Sequence, residues 1–100
     1  MKRLLVLPVL LLTLLAGNPA ISADFQKGKE AYNKGDYATA LRELKPLAEH
    51  GNAQAQNYIG TMYGNGQGVP QDYAKALKWY RLSGEKGYVI AQFNLGLIYY

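Results

Sequence analysis

Gly51-Asn52-Ala53-Gln54-Ala55-Gln56, followed by Ile59-Gly60 and Tyr63, returns thirty-six residues later as Gly87, Ala91-Gln92, Leu95-Gly96 and Tyr99. The same offset lays Asp36-Tyr37-Ala38-Thr39-Ala40-Leu41 on Asp72-Tyr73-Ala74-Lys75-Ala76-Leu77. A period of this size marks a stacked repeat array, in which one unit cannot bury its apolar face alone. Arrays of this kind present an extended surface to other macromolecules.

Within each period the apolar residues fall at helical spacing. Tyr37, Ala40, Leu41, Leu44, Leu47 and Ala48 form one stripe, which predicts an amphipathic helix from Tyr37 to His50. Asp36 supplies its N-cap, and Pro46 predicts a kink or an early end. A shorter helix is expected from Phe25 to Asn33, with Phe25, Gly28, Ala31 and Tyr32 on one side. Ala53 to Tyr63 repeats the signal through Ala55, Tyr58, Ile59, Met62 and Tyr63, and Tyr73 to Lys86 through Tyr73, Ala76, Leu77 and Tyr80. Gly84 weakens the latter by about 1 kcal/mol relative to Ala. A further helix starts at Ala91. Gly51 and Gly87 stand where a left-handed residue closes a helix. Gly64 to Gln71 is too rich in glycine to be helical, whereas the equivalent earlier junction is only Asn33-Lys34-Gly35.

Ala55, Ile59, Gly60, Tyr63, Gly66-Gln67-Gly68-Val69, Asp72, Lys75-Ala76, Trp79-Tyr80 and Gly87 together resemble a Sel-1-like repeat of the secreted bacterial type, with Gly96 opening the next copy. Gly28, Gly35-Asp36-Tyr37 and Ala40 resemble the related tetratricopeptide repeat. The resemblance implies an all-α fold, an α-solenoid of antiparallel helix pairs in a right-handed superhelix whose concave face binds partners. It divides the chain into a leader (1–23), a short tetratricopeptide-like unit (24–51), a Sel-1-like repeat (52–87) and the first helix of an incomplete repeat (88–100). Ser83-Gly84 departs from the alanines usual in the family. Independently of the resemblance, glycine costs stability inside a helix, so Gly60 and Gly96 predict close approach of a neighbouring helix. The small Ala40 and Ala76 are expected to serve that contact. Tyr63, Trp79 and Tyr80 are expected to plug the space between pairs.

Met1-Lys2-Arg3, the leucine-rich run from Leu4 to Ala16 and the small residues up to Ala23 have the order of a secretory signal peptide. The run is shorter than the roughly 20 residues of a spanning helix, and Pro8 interrupts it. Cleavage after Ala23 and a periplasmic or extracellular location are expected, with no stable membrane insertion afterwards. The net charge of +4 falls to +2 without Lys2 and Arg3, and the remaining charges alternate in sign, which argues against nucleic acid as a partner. There is no cysteine, so helix packing alone must hold the fold.

No residue set points to chemistry. Gly64-Asn65-Gly66-Gln67-Gly68 lacks the preceding strand and the Lys-Ser/Thr of a phosphate cradle. His50 is the single histidine, with no second His or Cys to share a metal. Glu43, Glu49 and Glu85 fall on polar faces. No catalytic, cofactor-binding or metal-binding residue is therefore assigned. The expected function is a non-enzymatic scaffold or adaptor of the bacterial envelope that binds a protein or peptide. The alternative is an envelope hydrolase acting on cell-wall or amide substrates.

The candidate partner-binding residues come from comparing first helices. Asn57 and Thr61 lie off the apolar stripe, and one period later these positions are Phe93 and Leu97, with Tyr100 a turn further on. The last helix is thus apolar on two sides, and such a helix is normally covered. Either the chain is a fragment of a longer array, the favoured account, or a partner or second copy covers this face. Asn57, Thr61, Phe93, Leu97 and Tyr100 are the expected groove. Tyr88 and Tyr100 also fit the buried pattern less well than the other tyrosines and are expected to contribute to recognition.

Overall fold

The computed structural model describes residues 22–99; residues 1–21, which carry most of the expected leader, and Tyr100 lie outside them. The described residues form five helices and no strand: α1 (Phe25–Asn33), α2 (Tyr37–Glu49), α3 (Ala53–Asn65), α4 (Tyr73–Glu85) and α5 (Val89–Tyr99). Among the described residues, none is long and apolar enough to cross a membrane.

Four of these helices begin on an Asp or Asn whose side-chain oxygen accepts a bond from a first-turn amide. Asp24 accepts from Lys27 (3.1 Å), Asp36 from Thr39 (3.3 Å), Asn52 from Ala55 (2.9 Å) and Asp72 from Lys75 (3.1 Å). Each bond satisfies an amide that has no partner inside the helix. Gly51 and Gly87 follow the ends of α2 and α4 with φ of +97° and +88°, the left-handed turn expected at both.

Each helix packs on its chain neighbours, giving an all-α helical solenoid. The pairings show that α3 and α4 run antiparallel: Ala53 meets Ser83, Gly60 meets Tyr80 and Gly64 meets Ala76. The first helices also touch one another. Edge-to-face rings join α1 to α3 through Phe25–Tyr58 (6.1 Å) and Tyr32–Tyr58 (5.2 Å). Asn94 of α5 donates to Asn57 of α3 at 3.0 Å. α1, α3 and α5 thus form one row.

Close approach within a pair rests on glycine. A Cβ added at Gly60 would stand 2.7 Å from the Tyr80 ring, and one added at Gly28 would stand 2.6 Å from Leu44. Tyr80 and Leu44 are one period apart, whereas Gly60 lies thirty-two residues after Gly28. The difference is one helical turn, which matches the greater length of α3 (13 residues) over α1 (9 residues). The expectation for Ala76 needs correcting, because it faces Gly64 (3.6 Å) and leaves Gly60 to Tyr80. Gly96 has no neighbour within 4 Å of an added Cβ among the described residues. The position one period after Tyr80 falls beyond the 100 residues.

Three further expectations are revised. α2 does not end at Pro46 but continues to Glu49. Pro46 removes one amide, and the carbonyl it would have bonded belongs to Arg42, an exposed residue. The glycine loop starts later than expected, since Gly64 and Asn65 are still helical and Gly66 closes α3 with φ +66°. Tyr73, assigned to the buried stripe, is 58% exposed. Its counterpart Tyr37 is half-buried because the loop of the next unit lies on it. There Gln67 accepts from the Tyr32 hydroxyl (3.0 Å) and donates to that of Tyr37 (3.2 Å). Gly68 has φ +75°, and a Cβ added there would stand only 2.9 Å from Tyr37 Cβ, so glycine lets the loop lie close on that residue. The loop is filled from below by tyrosine, which leaves no phosphate cradle.

Successive units are keyed by a bond that also repeats. Gln56 Nε2 donates to the Ala48 carbonyl (3.0 Å), and Gln92 Nε2 donates to the Gly84 carbonyl (3.0 Å), one period later. Each glutamine adds a second bond to a carbonyl that already accepts the amide of the glycine closing the preceding second helix. The unusual Ser83-Gly84 fits this arrangement. The buried Ser83 hydroxyl donates to Ala53 (2.6 Å), and an added Cβ at Gly84 would press on Gln92 Cγ at 3.2 Å.

These contacts generate three expectations. Gly60→Ala will lower stability by about 1–3 kcal/mol despite its better helix propensity, because the ring above must move. Gly96→Ala will raise it by about 0.5–1 kcal/mol, since the space there is open. Opposite shifts in melting temperature check the pair. Gln56→Ala will cost about 1–3 kcal/mol, because it removes a buried bond and the packing around it, while Gln92→Ala at an exposed site will cost less than ~0.5 kcal/mol; denaturant titration checks both. Burial raises the Tyr80 phenol above its ordinary value of 10.0, against the hydrogen bond it shares with Thr61, which lowers it. The folded state then holds that proton more tightly than the unfolded chain does. Its contribution is complete below about pH 10 and is lost as pH rises beyond it. Melting temperatures above pH 10 will therefore fall less steeply for Tyr80→Phe than for the parent.

Candidate functional site

A cleft of about 360 Å³ opens between α3, α4 and α5, lined by Thr61, Gly64, Asn65, Tyr73, Tyr80, Asn94, Leu97 and Ile98. α3 positions Thr61 on its wall. The Thr61 hydroxyl is 2.8 Å from the Tyr80 hydroxyl and bonds the Asn57 carbonyl at 3.0 Å. Asn57 in turn accepts from Asn94, so a polar chain runs from α4 across α3 to α5. Tyr73 stands at the α4 side, its hydroxyl held by Gln71 at 3.0 Å. No Lys, Arg, Asp or Glu lines the cleft. A ligand there meets hydroxyls, an amide and branched aliphatic carbons, which suits an uncharged surface.

The structure distributes the expected groove residues unevenly. Thr61 and Leu97 line the cleft together. Asn57 borders it through Asn94, and Phe93 lies on α5 outside the lining with its ring in solvent. Phe93 is 67% and Leu97 58% exposed, which is unusual for large apolar side chains. Tyr100 lies outside the described residues. Tyr88 is half-buried and packs on the core. Tyr73, Tyr80 and Asn94 are cleft residues that the apolar pattern hid. Tyr80 reads as core and is indeed buried, but its hydroxyl reaches the cleft wall. The spacing of Tyr73 and Tyr80, two turns apart on one helix face, is the signal that pairs them.

The remaining signature residues are structural in placement. Tyr63, Ala76 and Tyr80 are buried, and Trp79 packs against them half-buried. Lys75 lies 5.3 Å over the Tyr63 ring. Asp72 caps α4, and Gly66 and Gly68 shape the loop. A second depression of about 310 Å³ runs along α2 between Ala38, Leu41, Arg42, Lys45, Pro46 and Glu49, without polar groups converging on a point. His50 caps the end of α2 in solvent and lines neither cavity. No group of three or more His, Cys, Asp or Glu among the described residues is placed to hold a metal ion.

Comparison with known proteins agrees with this geometry. The family model described as Sel1 repeat matches residues 53–88 and again 89–100. A putative sel1-like repeat-containing protein, L21, of Acanthamoeba polyphaga mimivirus is 40% identical over 57 residues, which is 57% of this chain. The chain spans only 11% of the length of that relative. Sel1 repeats generally mediate contacts between proteins. The helices α3 and α4 with their glycine loop make up one matched repeat and α5 opens the next, so residues 53–100 match the Sel1 repeat model, once in full and once in part.

Proposed function

We propose that the chain is a non-enzymatic scaffold or adaptor of the bacterial envelope that binds a protein or peptide along the row of first helices. One observation carries the reading: an uncharged cleft with Thr61 and Leu97 on opposite walls, continued by exposed Phe93 on α5. Apolar side chains this exposed, beside polar groups already paired with one another, suit a surface that a partner covers. The leader supports export to the periplasm or beyond, with the first unit (24–51), the Sel1 repeat (52–87) and the opening of another (88–100) forming the exported part. The glycine loop is closed by tyrosine and the single histidine stands away from the cleft, so neither supports a hydrolase.

The test is affinity capture from envelope extracts with the parent chain and with the double variant Phe93→Lys, Leu97→Lys. Both positions are exposed, so the variant will melt within about 1 °C of the parent, in line with the small effect of surface changes. A partner retained by the parent will be lost by the variant, with affinity lower by tenfold or more. Retention of the same partner by the variant would move the binding surface elsewhere. Specific turnover of an ester, amide or glycan, abolished by one side-chain change, would replace the scaffold by an enzyme.

A further inference from the structure

The helices differ sharply in charge. α3 and α5 contain no Lys, Arg, Asp or Glu, so beyond α1 the charge gathers on the second helices. One period carries Arg42 of α2 onto Lys78 of α4, and Lys45 onto Arg81. These four stand away from the residues their helices bury, which are Ala40, Leu44 and Ala48 on α2 and Ala76, Tyr80 and Ser83 on α4. Arg42, Lys78 and Arg81 are exposed, and Lys45 is half-buried.

The acidic residues do not cancel this band. Glu49 and Glu85 share it, each one turn after Lys45 and Arg81, at the spacing that lets opposite charges pair. Arg42 and Lys78 have no acidic residue three or four positions away on their own helix. Glu43 is tied to Lys27 of α1 at 3.7 Å. Asp36 and Asp72 are held at helix caps, although Asp36 also feels the charge of Arg42. Charges that alternate along the chain are thus sorted in space, with α3 and α5 neutral and the second helices basic on their outer side.

On α2 the band borders the depression of about 310 Å³, where Ala38, Leu41 and Pro46 lie among Arg42, Lys45 and Glu49. A sugar or a peptide backbone needs converging polar groups, and none converge there. Lipid needs the reverse, cations for its phosphates beside a little apolar surface for the carbons below them.

We propose that the outer face of α2 and α4 docks on a membrane surface of acidic phospholipid, with Arg42, Lys45, Lys78 and Arg81 against the phosphates. The chain lies on that surface and does not span it. This face shares no residue with the lining of the cleft, so docking and partner binding are independent.

The experiment is co-sedimentation of the full chain with vesicles of phosphatidylglycerol and phosphatidylcholine in equal parts, and with vesicles of phosphatidylcholine alone. Residues 1–23 are common to every variant, so their own affinity for lipid drops out of the comparison. The parent will prefer the acidic vesicles. Arg42→Gln with Lys78→Gln will lower affinity for them about tenfold at low salt, and the melting temperature will stay within about 1 °C. Lys29→Gln with Lys34→Gln removes the same charge away from this face and will lower affinity about twofold or less, as an unspecific charge effect does. Equal losses from the two variants would leave only net charge and overturn the face. Arg42→Lys with Lys78→Arg keeps both charges and will bind as the parent does; a loss there would make the effect structural and overturn the charge reading. Equal affinity of the parent for acidic and neutral vesicles would overturn the docking. Soluble polyphosphate that binds the parent as tightly as acidic vesicles do, at equal phosphate, would make a soluble polyanion the occupant and overturn the lipid surface.

Discussion

The missing side chain at Gly60 fixes how near α4 can come to α3, and the rest of the repeat is arranged around that distance. Tyr80 fills the space a Cβ would take, and its hydroxyl then reaches Thr61 and closes the cleft wall. Glycine inside a helix costs on the order of 1 kcal/mol, a penalty offset here by a buried aromatic ring. Gly28 makes the same concession to Leu44 in the first unit. Alanines elsewhere in the core, Ala40, Ala48, Ala55, Ala76 and Ala91 among them, keep the helices close along their length. Short side chains leave little volume to adjust, so packing of this kind tolerates few changes of size.

Joining one pair to the next uses a different kind of contact. The glutamine bonds from Gln56 and Gln92 are directional, and each finds one carbonyl at the end of the preceding helix. Apolar contact alone allows sliding by a turn; a hydrogen bond to a single acceptor does not. Close packing therefore sets the spacing within a pair, and the glutamines set the register between pairs. The cleft inherits its shape from both, since its walls belong to α3 and α4 of one unit and to α5 of the next.

Much of this was legible in the residues. The period, the helix pairs, the caps at Asp36 and Gly51 and the close approach at Gly60 follow from spacing and from the physical preferences of single residues. What misled the reading were contacts made by another unit. Tyr73 has the same place in its helix as Tyr37, yet it is exposed, whereas the loop of the next unit lies on Tyr37. Gln56 is polar and so fell outside the apolar stripe, although burial and its bond to Ala48 make it part of the core. The groove was legible in part. Exposed Phe93 and Leu97 stand out by type, but Tyr80 and Asn94 belong to the cleft through orientation, which a linear pattern does not carry.

Gln67 has a consequence for the order of events in synthesis. The side chain that ties Tyr32 to Tyr37 lies thirty residues downstream of Tyr37, in the loop of the following unit. When α2 leaves the ribosome, the aromatic edge of the first pair is still wet. It closes only after α3 and residues 66–68 have emerged and folded back. The nascent chain therefore completes its first pair with a piece of the following unit.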